Sequence, residues 1–370
     1  MRTVDELRTA LDYRDAPVTP PAGALIARAH RRRVVRRRTL LAAGTAAVAA
    51  PAVAFGLAPV RGGGARPAAA QVLDRAAGVA AGGPEPARGG TVWFTETGYE
   101  ELRLTTPETG GRAFLTAQRF TTRVWLALPD RQRYDQEAAP PAVAESDLAA
   151  WVAAGRPPLT GPATVTDDPG TKDTWQLLLD DELGGTSADL RREAELLGRL
   201  PTGPAALAAW LRRRLTDDSA GRSLVQWCPI DAGSCGVDAK LFHAAAALLA
   251  APLAEPALRS GLFRVLARLP GVRLGGTTTD GATTDGTTTD GTTTDGAGRR
   301  ATVVSVTMGQ LRHELFFDPD RATLLGTRQV LVTTPADPDD PQWTGAVAGT
   351  AVRSVLYLRS RTVSAIGATA

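Results

Sequence analysis

Eight residues, Arg31 to Arg38 (Arg-Arg-Arg-Val-Val-Arg-Arg-Arg), open directly onto a stretch without a single charge, Thr39 to Val60. That junction limits what the chain can be. As a helix, the 22 uncharged residues reach about 33 Å, enough to cross a hydrocarbon core of ~30 Å. Cations beside a membrane span mark its cytoplasmic side, so Arg31, Arg32, Arg33, Arg36, Arg37 and Arg38 orient the segment. The expectation is a basic cytoplasmic segment at 1–38, a transmembrane helix at 39–60, a linker with a short helix at 61–90, and an extracytoplasmic domain at 91–370.

The charge distribution fits this division. The chain carries +3 overall. Residues 1–38 hold ten Arg against Asp5, Glu6, Asp12 and Asp15, or +6, which leaves −3 for the rest. The basic balance therefore belongs to the membrane flank and gives no reason to expect a nucleic-acid partner. Lys172 and Lys240 are the only lysines beside 40 Arg, a bias of a GC-rich genome rather than of function.

A second reading of the uncharged segment stays open. Arg37-Arg38-Thr39-Leu40-Leu41 resembles a twin-arginine export signal, and Ala68-Ala69-Ala70 offers a small-residue cleavage site. Against cleavage, Val4, Leu7 and Leu11 recur at helical spacing, an order that a discarded peptide does not need. Either way the main domain lies outside the cytoplasm. There Cys228 and Cys235 can persist as a disulfide closing a small loop, or remain two thiols.

From Thr91 the pattern is that of strands. Val92, Phe94, Leu102 and Leu104, then Arg119 to Leu128, then Gln132 to Tyr134 are rich in β-branched and aromatic residues, with Pro129-Asp130 as a turn. The middle is helical. Leu190, Ala194, Leu197 and Leu200 share one face; Leu207, Trp210, Leu211 and Leu215 follow, with Thr202 available as a cap. Val237, Leu241, Ala244, Ala245, Leu248 and Leu249 form a third stripe, and Leu258, Leu262, Val265, Leu266 and Leu269 a fourth. Strands return at Thr302–Met308, Leu311–Phe317, Leu324–Thr333 and Val352–Thr362. Strands at both ends with helices between them imply an α+β domain, one antiparallel sheet with helices packed on one face.

The segment 275–298 contains Gly276-Thr-Thr-Thr-Asp280 followed by three related five-residue units ending at Asp295. Without any apolar residue larger than alanine it is expected to be a disordered, solvated loop. Its carboxylates come every fifth residue, unlike the alternate-residue oxygens of a calcium loop, so no metal is expected.

Catalytic motifs are absent from the sequence. The three histidines, His30, His243 and His313, have no helical zinc-protease spacing, and there is neither a nucleophile elbow nor a phosphate loop. A Cys228–His243 nucleophile–base pair has nothing in the pattern to favour it over a structural thiol and a core histidine. No enzyme activity, cofactor or metal is expected.

Several motifs in the main domain form a recognisable series. They are Trp125–Asp130 (Trp-Leu-Ala-Leu-Pro-Asp), Leu200–Leu207 (Leu-Pro-Thr-Gly-Pro-Ala-Ala-Leu), Leu266–Val272 (Leu-Ala-Arg-Leu-Pro-Gly-Val) and Gly298–Val304 (Gly-Arg-Arg-Ala-Thr-Val-Val). Arg312–Pro319 (Arg-His-Glu-Leu-Phe-Phe-Asp-Pro) and Leu324-Leu325-Gly326 continue it. With the Arg-rich, Ala-rich N-terminal segment, they resemble the actinobacterial CU044_5270 family of membrane-anchored proteins of undetermined function. Two departures stand out, the Gly/Thr/Asp array and Arg321-Ala322, where a Thr-Gly turn is usual. The resemblance carries no catalytic residues. By analogy it implies a curved, half-barrel sheet like that of lipoprotein carriers and of the exported halves of anti-sigma regulators.

The resulting expectation is a single-pass membrane-anchored binding or sensor protein, anti-sigma-like in layout. Its partners would be the lipid bilayer, a cytoplasmic regulatory protein such as a sigma factor, and an envelope lipid or lipoprotein. The alternative is a lipid or lipoprotein carrier released after a twin-arginine-type signal.

Overall fold

In a computed structural model of the chain, the described residues are 67–84, 91–127, 131–166, 168, 190–216, 236–275, 292–334, 343 and 345–369. The expected transmembrane helix at 39–60, the Arg31–Arg38 cluster, Cys228 and Cys235 all lie outside them. Among the described residues, no helix is long and apolar enough to cross a membrane.

The domain is α+β, as its patterning implies. Chain order runs α1 (Ala68–Ala81), β1 (Val92–Thr105), β2 (Phe114–Ala127), β3 (Arg131–Ala138), β4 (Ala142–Val143) and α2 (Glu145–Ala153). The helical middle follows with α3 (Leu190–Arg199), α4 (Pro204–Thr216), α5 (Val237–Ala250) and α6 (Pro256–Leu266). The remaining strands are β5 (Arg273–Leu274), β6 (Thr292–Thr294), β7 (Arg300–Met308), β8 (Leu311–Asp318), β9 (Thr323–Leu331) and β10 (Ala351–Val363).

The ten strands make one sheet in the order β3-β2-β1-β10-β9-β8-β7-β5, with β4 on β2 and β6 on β7. Neighbouring strands are antiparallel, and the sheet does not close into a barrel. Its centre is the pairing of β1 with β10, which joins the two strand-rich ends of the domain across the helical middle. Pairing slips by one residue after Glu96, where β10 skips from Tyr357 to Arg359 and leaves Leu358 as a bulge.

Alternation along each strand sorts the two faces. Val124, Leu126, Val304, Val306, Leu315, Phe317 and Val355 pack against the helices in the main core. Intervening residues contribute to smaller apolar clusters, two of which are made on the other face. Phe94 and Trp125 meet as tilted rings with centroids 5.2 Å apart, and Ala301, Val303, Phe316 and Leu325 form the second of these.

The helix α5 packs against α4, α6 and strand β9. Ten of its residues, Ala239 and Leu241–Leu249, are buried, so this helix is enclosed all round rather than amphipathic. Against α6 the chain passes very close. A Cβ built on Gly261 would sit 2.5 Å from the Thr202 carbonyl oxygen, so only glycine fits where the entry to α4 crosses α6.

Two expectations change in this frame. The short helix of the 61–90 segment runs over Ala68–Ala81 and belongs to the core rather than to a linker. Leu73 and Ala77 are fully buried, and α1 packs along α6. The last repeat of 275–298 is also ordered, contrary to the solvated loop read from its polarity. Thr292–Thr294 pairs with β7, and Asp295 is buried. Its carboxylate accepts hydrogen bonds from the amides of Ala297 and Arg299 and from Arg299 Nε at 2.7 Å. Arg299 in turn donates to the carbonyls of Tyr357 and Leu325. Charge pairing thus supplies here what apolar burial cannot.

Ala322, in the β8–β9 turn, holds φ at 50°. The turn is fixed by Asp318, whose carboxylate accepts the amides of Asp320 and Arg321. The Arg321-Ala322 departure is therefore accommodated by an aspartate-centred turn.

Candidate ligand-binding site

Three places in the domain concentrate polar groups. The first is a cleft of about 320 Å³ at the mouth between sheet and helices. Strand alternation sends Trp93 and Thr95 of β1 toward the helical layer, and the β10 residues Tyr357, Ser360 and Thr362 line the cleft beside them. Leu249 to Pro252, at the end of α5, form the opposite wall with Arg259 from the first turns of α6. Pro84, just beyond α1, contributes at the rim.

Two residues that line this cleft each carry a buried donor left unsatisfied among the described residues. Trp93 Nε1 and Arg259 Nε are buried without a hydrogen-bond acceptor among the described residues. Burial lowers the Arg259 pKa, and no carboxylate among the described residues offsets it. A desolvated cation without an anion is costly, and buried donors are ordinarily satisfied.

The second place is the sheet face away from the helices. Glu96 accepts from Arg123 Nε at 3.0 Å and pairs with Arg359 at 3.3 Å; Arg123 also reaches Glu137 at 3.2 Å. Arg119 pairs with Glu100 at 3.0 Å. Glu100, Arg119, Arg123 and Glu137 border a cleft of about 460 Å³, but their charges are already matched. Further along, the fully buried Glu314 carboxylate receives Arg312 Nε at 2.7 Å and Arg328 Nε at 2.6 Å. This is a structural clamp across β8 and β9.

The third is a buried histidine pair. His243 of α5 and His313 of β8 meet with Nε2 and Nδ1 2.8 Å apart. Burial holds His313 at about 4. His243 is pushed well below its ordinary value by burial first, then by His313 and Arg353. Both rings are therefore neutral at neutral pH, one donating and the other accepting. Among the described residues no group of three or more His, Cys, Asp or Glu could hold a metal.

The sequence placed His243 on a helix and His313 on a strand without joining them. A signal was present, since 311, 313, 315 and 317 alternate onto the helix-facing side. Arg259 and Trp93 were missed altogether. Arg259 stands three, four and seven residues before Leu262, Phe263 and Leu266, so it lies on the buried stripe of α6, where a cation needs an explanation. Cys228, Cys235 and the six orienting arginines remain outside the described residues. Neither a family model, nor a curated protein, nor a solved structure matches this chain.

Proposed function

We propose that this chain is a single-pass, membrane-anchored extracytoplasmic binding or sensor protein without catalytic activity, related to the CU044_5270 family. Its Arg-rich tail stays in the cytoplasm, where a regulatory protein such as a sigma factor is the candidate partner. The domain beyond the membrane reads an envelope ligand. The sheet's curvature into a half-barrel belongs to the same reading.

The observation that carries it is the position of α1. This helix starts at Ala68, eight residues after the uncharged stretch ends at Val60, and it is built into the core through Ala69 and Leu73. Cleavage after Ala70 would cut its first turn and remove Ala69, 3% exposed, from its packing. The placement favours retention over release. The mouth cleft would also serve a released carrier, but at about 320 Å³ it suits a small molecule rather than a lipoprotein.

The test is the mass and N-terminal sequence of the protein recovered from a membrane fraction. An intact N-terminus is expected. A mature chain beginning at Gln71 would replace this reading with the carrier. Capture of a sigma factor by residues 1–38 would identify the cytoplasmic partner.

A further inference from the structure

The mouth cleft pairs an apolar, aromatic wall with two unanswered donors, and that combination defines a ligand chemistry. We infer that the cleft between Trp93, Tyr357 and Arg259 binds a small organic anion, a carboxylate carried on a flat apolar body. The inference deepens the binding-module reading and rests on it, but is independent of anchoring.

Three features select this class. Trp93 Nε1 and Arg259 Nε both donate and neither has an acceptor among the described residues, so the missing group is an acceptor. The guanidinium is desolvated with no compensating carboxylate among the described residues, so a negative acceptor gains most there. Arg359 is already committed to Glu96, and Glu255, beside the start of α6, has interactions of its own. The remaining wall is Leu249, Pro252, Pro84 and the two aromatic rings, which suits a flat apolar body. Thr95, Ser360 and Thr362 add hydroxyls along the same side. A volume of about 320 Å³ sits at the lower end of ligand pockets and excludes a long acyl chain.

The experiment titrates the full chain, held in a lipid nanodisc, with benzoate, with its uncharged isostere benzamide, and with inorganic phosphate. Calorimetry gives the affinity, and the ¹⁵N-labelled indole resonances, assigned through Trp93→Phe, report the site. Benzoate should shift the Trp93 indole N–H and bind at least tenfold more tightly than benzamide or phosphate. Arg259→Gln and Trp93→Phe should each weaken benzoate by tenfold or more, with unfolding midpoints close to that of the unmodified protein. If Arg259→Gln proves unstable, Arg259→Lys keeps a cation without the Nε donor and should still weaken binding severalfold. Absence of benzoate binding, equal binding of benzamide or phosphate, or unchanged affinity in both variants would overturn the assignment. Because the topology of the chain is read separately, such a failure would leave the anchored-protein reading standing.

Discussion

His243 Nε2 lies 2.8 Å from His313 Nδ1, so a single buried hydrogen bond ties helix α5 to strand β8. The bond exists only while at least one ring nitrogen of the pair is free to accept. Phe242 meets the His243 ring edge-on at 5.9 Å, and Arg353 adds a positive charge nearby, so a second proton would be poorly accommodated.

Stability should therefore fall in mild acid. Folded-state values lie below the ordinary histidine range, with His313 at about 4, so the unfolded chain binds more protons. The contribution is fully present above pH ~6.5 and is lost as pH falls from there toward about 4. His313 alone accounts for roughly 3 kcal/mol at most over that window. Urea unfolding at stepped pH should show the decline, and the double variant His243→Leu/His313→Leu should flatten it.

Breaking the Glu314 clamp should be costly. Arg312 Nε and Arg328 Nε each take one oxygen of a carboxylate with no solvent exposure. Glu314→Gln leaves a buried guanidinium facing a neutral amide and should lose about 3–5 kcal/mol. Replacing Arg312 and Glu314 together by Met and Leu should recover part of that loss. Chemical denaturation of the single and double variants measures both.

Two glycines should respond in opposite directions. Gly261→Ala forces a methyl group to within 2.5 Å of the Thr202 carbonyl and should destabilise by about 1–3 kcal/mol. Gly78, on the exposed side of α1, has nothing within 4 Å of its would-be Cβ. Gly78→Ala should stabilise by about 0.5–1 kcal/mol through helix propensity. Thermal unfolding separates the two.

The last Gly/Thr/Asp repeat should differ from those before it. Asp295→Ala removes the acceptor that gathers Arg299 and the amides of Ala297 and Arg299. It should cost about 1.5–3 kcal/mol and speed amide exchange in β6. On the loop reading of their composition, deleting Gly276–Asp290 should change stability by less than about 1 kcal/mol, since loop length costs little.

Much of this fold was readable from periodicity. The alternation of Val304, Val306, Leu315 and Phe317 and the stripes of α3 to α6 follow directly from which residues a sheet or helix can bury. Strand order was not legible. The pairing of Tyr99 with Val355 joins residues from opposite ends of the domain, and no local signal encodes it. Asp295 was misread because polarity was taken to mean solvation, although Arg299 four residues on could neutralise it. The mouth cleft escaped notice because its parts, Trp93 and Arg259, are ordinary in their own elements and meaningful only together. The membrane junction is the opposite case, complete in sequence and located in residues that the described structure does not include.

The central claim is the orientation of the chain, and paired reporter fusions after Ala370 test it most directly. Alkaline phosphatase, active only after export, should be fully active there, while β-galactosidase at the same position should be silent. The reverse pattern, an active β-galactosidase and an inactive phosphatase, would place the domain in the cytosol and contradict the account.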